Sequence, residues 1–189
     1  MRLDQLEERL GDQISIEWRS FLLRPEPREP DQTKFVEYTK SWLRPAEMEP
    51  ATEFAVWATD NPQPTSSVPP HIAAKAVARV APEAQRRFHR DLLTAYFTDN
   101  RTISEWDVLF DVVAGAGANP SELAEVVEKH GTDITQEVID EHNDAIARGI
   151  TAVPTTVIAD VLPVPGAQDV DVFEAWITRL IDRQQEAAS

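Results

Sequence analysis

Apolar residues recur along most of this chain at the spacing of an α-helix. Leu3, Leu6 and Leu10 lie three to four positions apart and Gly11 follows them, which predicts an amphipathic helix over residues 2–10. The same spacing returns in several later segments, so the chain is predicted to be mostly helical. These further helices are expected over residues 33–42, ended by Pro45, over 83–97, and over 133–148, ended by Gly149.

Two more helices are predicted from residues that favour helix starts. Ser104 and Asp107 have the spacing of a capping box in front of an apolar run. Asn119 precedes a proline, an N-cap residue followed by the residue type preferred at the first helical position, and that helix is expected to end at Gly131. The glycine-rich residues 114–120 are therefore predicted to be a turn between helices.

A period of two marks the expected strands. In residues 14–21, Ile14, Ile16 and Trp18 alternate with polar residues, which predicts a half-buried strand. Residues 155–158 predict a second strand, followed by a tight turn at 159–160 and a third strand that Pro163 assigns to a sheet edge. A last helix follows, with these apolar residues on one face: Phe173, Trp176, Ile177, Leu180 and Ile181.

Prolines concentrate between residues 24 and 70, where nine of the fourteen lie. Residues 24–30 are expected to be extended, because a residue before proline is driven out of the helical region. Residues 61–70 are expected to form a long loop.

The chain is strongly acidic, with 33 Asp and Glu against 18 Lys and Arg and a formal charge of −15. Nucleic acids and anionic membranes require basic clusters, so neither is an expected partner. No apolar run approaches the roughly 20 residues of a membrane span, and the charged first residues do not fit a signal peptide. The expected location is the cytoplasm.

Cysteine is absent from the 189 residues, which excludes a thiolate nucleophile, a disulfide and a thiolate metal site within this polypeptide. The four histidines, at 71, 89, 130 and 142, lack metal-ligand spacing and are interpreted as surface or helix-face residues. No metal or resident cofactor is expected. Ser66 and Ser67 are a weak candidate pair of reactive hydroxyls, without a predictable histidine partner.

The tail GITAVPTTVIADVLPVPGAQ resembles the ending of DsbA-like proteins of the FrnE and 2-hydroxychromene-2-carboxylate isomerase group. The segments IEWRSFLL, SSVPPHIAAKAVARV and FHRDLLTAYFTDNRTISEWDVL also resemble that family, so the likeness covers nearly the whole chain. It implies an α/β fold, a thioredoxin-like core interrupted by a large all-helical insertion. The core is expected in residues 1–30 and 149–189, and the insertion in 31–148.

The resemblance also implies a substrate site. Pro154 would be the cis proline, and Val153 would expose backbone groups that pair with an extended peptide or a thiol substrate. The implied substrate-binding residues form one run of the sequence: Thr151, Ala152, Val153, Pro154 and Thr155.

This sequence departs from the family at its start. Family members begin with a strand and a Cys-Pro-x-Cys type of motif, whereas this sequence opens inside the following helix, so the first core strand is expected to be missing. Unpaired buried backbone groups cost about 1–3 kcal/mol each, so a bare gap in the sheet is disfavoured. A strand from a second copy, in a homodimer, is one way to fill it.

Three interpretations remain open. The chain is a shortened or redox-inactive thiol-disulfide oxidoreductase, whose upstream DNA would encode the strand and the cysteine motif. Alternatively, it is a glutathione-dependent isomerase or transferase, in which glutathione supplies the thiol and a serine hydroxyl activates it. The third interpretation is a non-enzymatic binding module that keeps the groove at Val153 and Pro154.

Overall fold

The computed structural model describes residues 2–48 and 53–187. Two compact units divide the chain: residues 1–19 with 143–189, which we call the core unit, and residues 20–142, the helical unit. The sequence placed these boundaries at 30/31 and 148/149. Both descriptions make one unit discontinuous, with the helical residues inserted between its two parts.

The core unit contains two helices and a hairpin. Helix α1 (Arg2–Leu10) begins it, and strands β1 (Thr155–Ile158) and β2 (Leu162–Pro165) precede the last helix, which runs from Val170 to Ala187 and is α8 in chain order. Apolar side chains from all four elements form one buried cluster, so the helices and the hairpin share a core. Its buried members are Leu6, Leu10, Ile158, Val164, Val170 and Phe173.

Charged side chains on the surface connect the two helices of the core unit. The Arg9 guanidinium lies 2.6 Å from the Asp171 carboxylate and 2.7 Å from that of Glu174. These groups are solvent-exposed, so water and salt screen their attraction and the pairs stabilise the contact only weakly. The apolar cluster is therefore the main source of stability at this contact.

The hairpin has the strands and turn that the sequence predicted. Strands β1 and β2 are antiparallel, with Thr156 opposite Val164 and Ile158 opposite Leu162. Both predicted turn residues have positive φ, 51° at Ala159 and 58° at Asp160. Such left-handed turn conformations match the right-handed twist of the strands that they connect.

The prediction of a strand over residues 14–21 is wrong, because these residues do not pair with another strand. The only sheet in the described residues is β1–β2. The alternation itself is present: Ile14, Ile16 and Trp18 are half-buried and the residues between them are exposed. Periodicity reports which side chains face a core. A ladder also requires a second strand about 4.8 Å away, and sequence alternation alone does not supply one.

The helical unit is built from short helices and most of one long helix. In chain order they are α2 (Gln32–Thr39), α3 (Leu43–Met48), α4 (Val68–Val80), α5 (Gln85–Phe97), α6 (Trp106–Gly115) and α7 (Pro120–Ala147). Single 3₁₀ turns lie at Gly11–Gln13, Lys40–Trp42 and Pro82–Ala84. Helix α7 ends in the core unit, where residues 143–147 belong.

Two apolar clusters stabilise the helical unit. The larger packs α4, α5, α6 and α7 around Phe88, Leu109, Leu123 and Ile134, all fully buried. The smaller is aromatic and centres on Phe35, Trp42 and Trp57, with Tyr96 and Phe97 packed against them. Neighbouring rings in it meet mostly edge to face, the preferred geometry for aromatic pairs.

The sequence analysis missed the starts of two helices because their first turns contain proline. The expected loop over residues 61–70 ends early, because α4 begins at Val68 and includes Pro69 and Pro70 in its first turn. Pro45 does not end a helix either, since it lies in the first turn of α3. A proline is tolerated there because the first backbone N–H groups of a helix have no partner within it.

Two predicted helix boundaries are wrong and two are right. The Ser104 hydroxyl accepts a hydrogen bond from the Thr65 N–H instead of capping α6. Gly131 lies inside α7, where burial of Ile134 and its neighbours outweighs the roughly 1 kcal/mol helix penalty of glycine. Asn119 does cap α7, since its side chain accepts the Ser121 N–H at 3.0 Å. Gly149 follows the end of α7 with φ of 78°.

No helix within residues 2–48 and 53–187 combines the length and the apolar character needed to cross a bilayer.

Candidate functional site

The segment Thr151–Thr155 starts directly after the end of α7. Gly149 donates its N–H to the Ile146 carbonyl and Ile150 donates to that of Ala145, which is a Schellman motif. This motif needs a left-handed residue, and glycine adopts that conformation without a Cβ clash. The helix therefore stops at a defined residue, and the chain turns toward β1.

The geometry of the segment is fixed by few contacts. The Val153–Pro154 peptide bond is cis. The Thr155 hydroxyl donates to the Ala152 carbonyl at 2.7 Å, and the Pro154 carbonyl accepts the Gly166 N–H at 2.8 Å, which extends the hairpin by one pair. The segment is thus tied to the hairpin at its C-terminal end.

Val153 lies in the solvent-accessible part of this segment. Its side chain is 44% exposed, and residues 151–154 are all exposed. No hydrogen bond to the backbone N–H or C=O of Val153 occurs within the described residues. Both groups are therefore available to a bound molecule.

Arg148 connects the end of α7 to the hairpin turn. Its guanidinium lies 3.3 Å from Asp144 and 3.6 Å from Asp160. The five segment residues 151–155 carry no ionisable side chain, so none of them offers a carboxylate, an imidazole or an amine as a general acid or base. The five predicted residues form one consecutive segment, in which residues 151–154 are exposed and Thr155 is half-buried.

Ionisable side chains that the sequence left unassigned converge in the helical unit on Ser20–Leu22. The Ser20 N–H donates to Glu141 at 2.8 Å, and the Leu22 N–H donates to Nδ1 of His142 at 3.1 Å. Nε2 of His71 lies 3.1 Å from the Phe21 carbonyl. Side chains of α4 and α7 thereby hold three consecutive residues that lack a ladder partner in the described chain.

A buried ion pair lies beside these contacts. The Lys75 ammonium pairs with Glu141, and their side chains are only 14% and 11% exposed. Burial alone would raise the pKa of Glu141, but the hydrogen bonds from Lys75 and Ser20 outweigh it and hold that pKa below its usual value.

Two histidines in the helical unit have strongly perturbed pKa values. Burial, together with the nearby His89 and Lys75 charges, lowers the pKa of His71 to about 4, and burial with Lys75 lowers that of His89 to about 4. His71, His89 and His142 are half-buried and His130 is exposed, so the interpretation of all four as surface or helix-face residues is too simple. Apart from Lys75 on the same helix as His71, this environment comes from segments that are distant in the sequence.

The two candidate hydroxyls have structural contacts. The Ser67 hydroxyl accepts the Arg24 N–H at 2.8 Å, and that of Ser66 accepts the Val68 N–H at 3.1 Å in the first turn of α4. These bonds anchor the proline-rich segment to the start of the helix. They give neither hydroxyl a general base.

Comparison with known proteins assigns the fold. A structure from Nitrosomonas europaea, described as a candidate protein disulfide isomerase, matches with a TM-score of 0.76 and 11% identity over 100% of this chain and 90% of that one. The cytosolic disulfide reductase DsbM of Pseudomonas aeruginosa matches with 0.69 and 16% identity, covering 98% and 91%, and a second structure of DsbM contains GSH. The fold is therefore DsbA-like: a thioredoxin core with helical residues inserted.

The family model for the DSBA-like thioredoxin domain matches residues 1–178, so the chain belongs to that family. Protein YwbO of Bacillus subtilis strain 168, described as uncharacterized, is 25% identical over 173 residues, which are 89% of this chain and 83% of that protein. The family suggested by the tail sequence is thereby confirmed at the level of the DSBA-like thioredoxin domain.

Proposed function

We propose that this polypeptide is a substrate-binding member of the DsbA-like oxidoreductases, and that Thr151–Thr155 hold an extended peptide or a thiol peptide. The observation that carries this proposal is the exposed Val153 backbone, free of partners in the described chain, inside a segment that the family model covers. Those groups can form a short antiparallel pairing with a bound peptide. The bound molecule supplies any thiol in the site.

The absence of cysteine sets the chemistry. Thiol–disulfide exchange needs a thiolate that attacks a disulfide sulfur, and none of the 189 residues can provide one. We expect the isolated polypeptide to leave the rate of insulin reduction by dithiothreitol at the value of the protein-free reaction. Acceleration of that reaction would contradict a purely binding role.

Binding is tested by titrating a cysteine-containing unfolded peptide into the protein and measuring heat. Val153→Arg places a long charged side chain over the exposed backbone and is expected to weaken binding at least about tenfold, the effect of roughly 1.4 kcal/mol. Val161→Arg is the matched control, since it makes the same change at a hairpin position that is 80% exposed. Equal affinity of both variants and the parent protein would refute the proposed site.

A glutathione-dependent isomerase or transferase is the second candidate. It is favoured by the missing cysteine, because glutathione brings its own thiol, and by the GSH in one DsbM structure. The contacts of Ser66 and Ser67 argue against a serine that activates the thiol. Calorimetry with glutathione, and with S-methylglutathione as control, separates the two candidates: no heat with glutathione excludes the second.

The upstream DNA sequence tests whether a cysteine motif of the kind found in the family is encoded before Met1. An in-frame strand followed by Cys-x-x-Cys upstream of the Met1 codon would make the longer protein a thiol-disulfide oxidoreductase in its own right. A stop codon beside Met1 would leave the thiol-free binding role. Neither outcome determines whether the protein is cytoplasmic, which is tested separately by cell fractionation.

A further inference from the structure

The first and last residues of the helical unit lie at one cluster of hydrogen bonds. The chain enters this unit at Ser20 and leaves it at His142. The Ser20 N–H donates to the Glu141 carboxylate at 2.8 Å, and the Leu22 N–H donates to Nδ1 of His142 at 3.1 Å. Two consecutive side chains of α7 thereby bind alternate N–H groups of residues 20–22, which we call the entry segment.

The entry segment is buried where it meets α7. Ser20 is 5% exposed and Leu22 is 4% exposed. The Phe21 ring packs edge-on against the His142 ring, with centroids 5.1 Å apart and an interplanar angle of 76°. A buried N–H that loses its acceptor is strongly unfavourable unless the chain opens to water. The position of the entry segment therefore depends on both acceptors.

His142 accepts its hydrogen bond only while its ring is neutral. The bond from Leu22 requires a lone pair on Nδ1, which puts the ring proton on Nε2. A protonated imidazole carries an N–H at both nitrogens, so its Nδ1–H would face the Leu22 N–H, donor against donor. The ring and the entry segment must then separate.

The other contacts of the entry segment tolerate acid better. Nε2 of His71 donates to the Phe21 carbonyl at 3.1 Å, and an imidazole makes that bond in both protonation states. Although burial would raise it, hydrogen bonds hold the pKa of Glu141 below its usual value, so this acceptor stays ionised in mild acid. Falling pH therefore removes the contact of Leu22 first.

We propose that protonation of His142 releases the entry segment from α7, so that the start of the helical unit opens locally as the pH falls. The contact is present while the ring is neutral and is lost once the ring takes up a proton. His142 shares its surroundings with these titratable and charged groups: His71 and Lys75 on α4, His89 on α5, and Glu141 on α7. The entry segment contributes no ionisable side chain. A proton on His142 thereby controls the segment through which the chain first passes from the core unit into the helical unit.

Hydrogen–deuterium exchange followed by NMR measures the contact at Leu22 itself. The protection factor of the Leu22 amide, corrected for the intrinsic exchange rate at each pH, should fall at least about tenfold. Its midpoint should coincide with the titration of the His142 ring resonances in the same protein. The Ser20 amide should stay protected through that transition, because Glu141 is still ionised. Loss of Leu22 protection at a pH where the His142 ring does not titrate would overturn the proposal.

Two variants of α7 separate the titration from the packing. His142→Asn places a carbonyl oxygen near the position of Nδ1 and does not titrate, so the Leu22 amide should stay protected over the whole pH range. His130→Asn makes the same change at an exposed residue of the same helix and should keep the pH dependence of the parent protein. Unchanged pH dependence in His142→Asn, or its loss in His130→Asn, would contradict the role of His142. The measurements on the parent protein test the proposal even if His142→Asn does not fold.

Local release is distinguished from acid unfolding of the whole helical unit by amides in its core. Val77, Val113 and Ile134 are fully buried in the larger apolar cluster, on α4, α6 and α7. Their amides should keep their protection at the pH where Leu22 loses it. Simultaneous loss at Leu22 and at these three residues would show global unfolding and would overturn the local release.

Discussion

Acidification is expected to destabilise the helical unit through His71, and His71→Gln removes that effect. His71 is kept neutral by burial, which lowers its pKa to about 4 from the model-peptide value of 6.5. Its ring contacts the Phe21 carbonyl, and a glutamine can donate to the same carbonyl without titrating. The charged groups around it are Lys75 on its own helix, His89 on α5, and Glu141 and His142 on α7.

The sign and size follow from proton linkage. As pH falls below 6.5, the unfolded chain takes up a proton at residue 71, whereas the folded protein does so only near pH 4. The free energy of unfolding therefore decreases with falling pH in this window. The pKa difference corresponds to about 2 kcal/mol at about pH 5 and about 3 kcal/mol in total.

The assay is urea unfolding at about pH 7 and pH 5, followed by tryptophan fluorescence, on the parent protein, His71→Gln and His130→Gln. The His71 variant should lose about 2 kcal/mol less than the parent between the two pH values. His130 is exposed on α7, so its variant should behave like the parent. If His71→Gln loses as much stability as the parent, His71 is not buried in its neutral form and the reasoning is refuted.

Two further predictions concern buried polar groups. Lys75→Met should destabilise the protein by about 3 kcal/mol because it leaves the Glu141 carboxylate buried without its cation, and Lys75→Met with Glu141→Gln should recover at least about 1 kcal/mol in urea unfolding. Strict additivity of the two substitutions would contradict the pairing. Thr39 is fully buried, and its hydroxyl accepts a hydrogen bond from the backbone N–H of Trp57 at 3.0 Å. Thr39→Val should therefore cost about 2 kcal/mol and Thr39→Ser about 1 kcal/mol in thermal unfolding, and the reverse order would contradict the hydrogen bond.

The sequence predicted local structure best where a residue's own side chain, or its lack of one, determines the conformation of the adjacent backbone. Asn119 caps α7 because its side chain reaches the N–H two residues ahead, and Gly149 ends that helix because it alone there adopts a left-handed φ without strain. The hairpin turn at 159–160 was predictable instead from the two strand-like runs on either side of it, since alanine disfavours the left-handed φ that Ala159 adopts. The candidate site at residues 151–155 was predicted from the resemblance to a family, since proline before a strand is too common a pattern to identify a site.

Predictions failed where packing overrides local preference. Gly131 does not end α7, because Leu123, Ile134 and Val138 bury one continuous face on either side of it. The Ser104 hydroxyl bonds to Thr65, 39 residues away in the chain, although its spacing to Asp107 suggested a cap. A side chain accepts whichever donor the fold brings to it, and local spacing does not encode that choice.

The sequence alone determined the acidic charge, the absence of any thiol, the amphipathic helices and the family. Each of these depends on residue identity or on short-range periodicity. Tertiary structure decided the register of the hairpin, in which Thr156 lies opposite Val164 and the Gly166 N–H donates to the Pro154 carbonyl. It also decided the state of His71, since the burial that lowers its pKa, and the charge of His89 that adds to it, depend on the packing of other helices against α4, whereas Lys75 lies on the same helix.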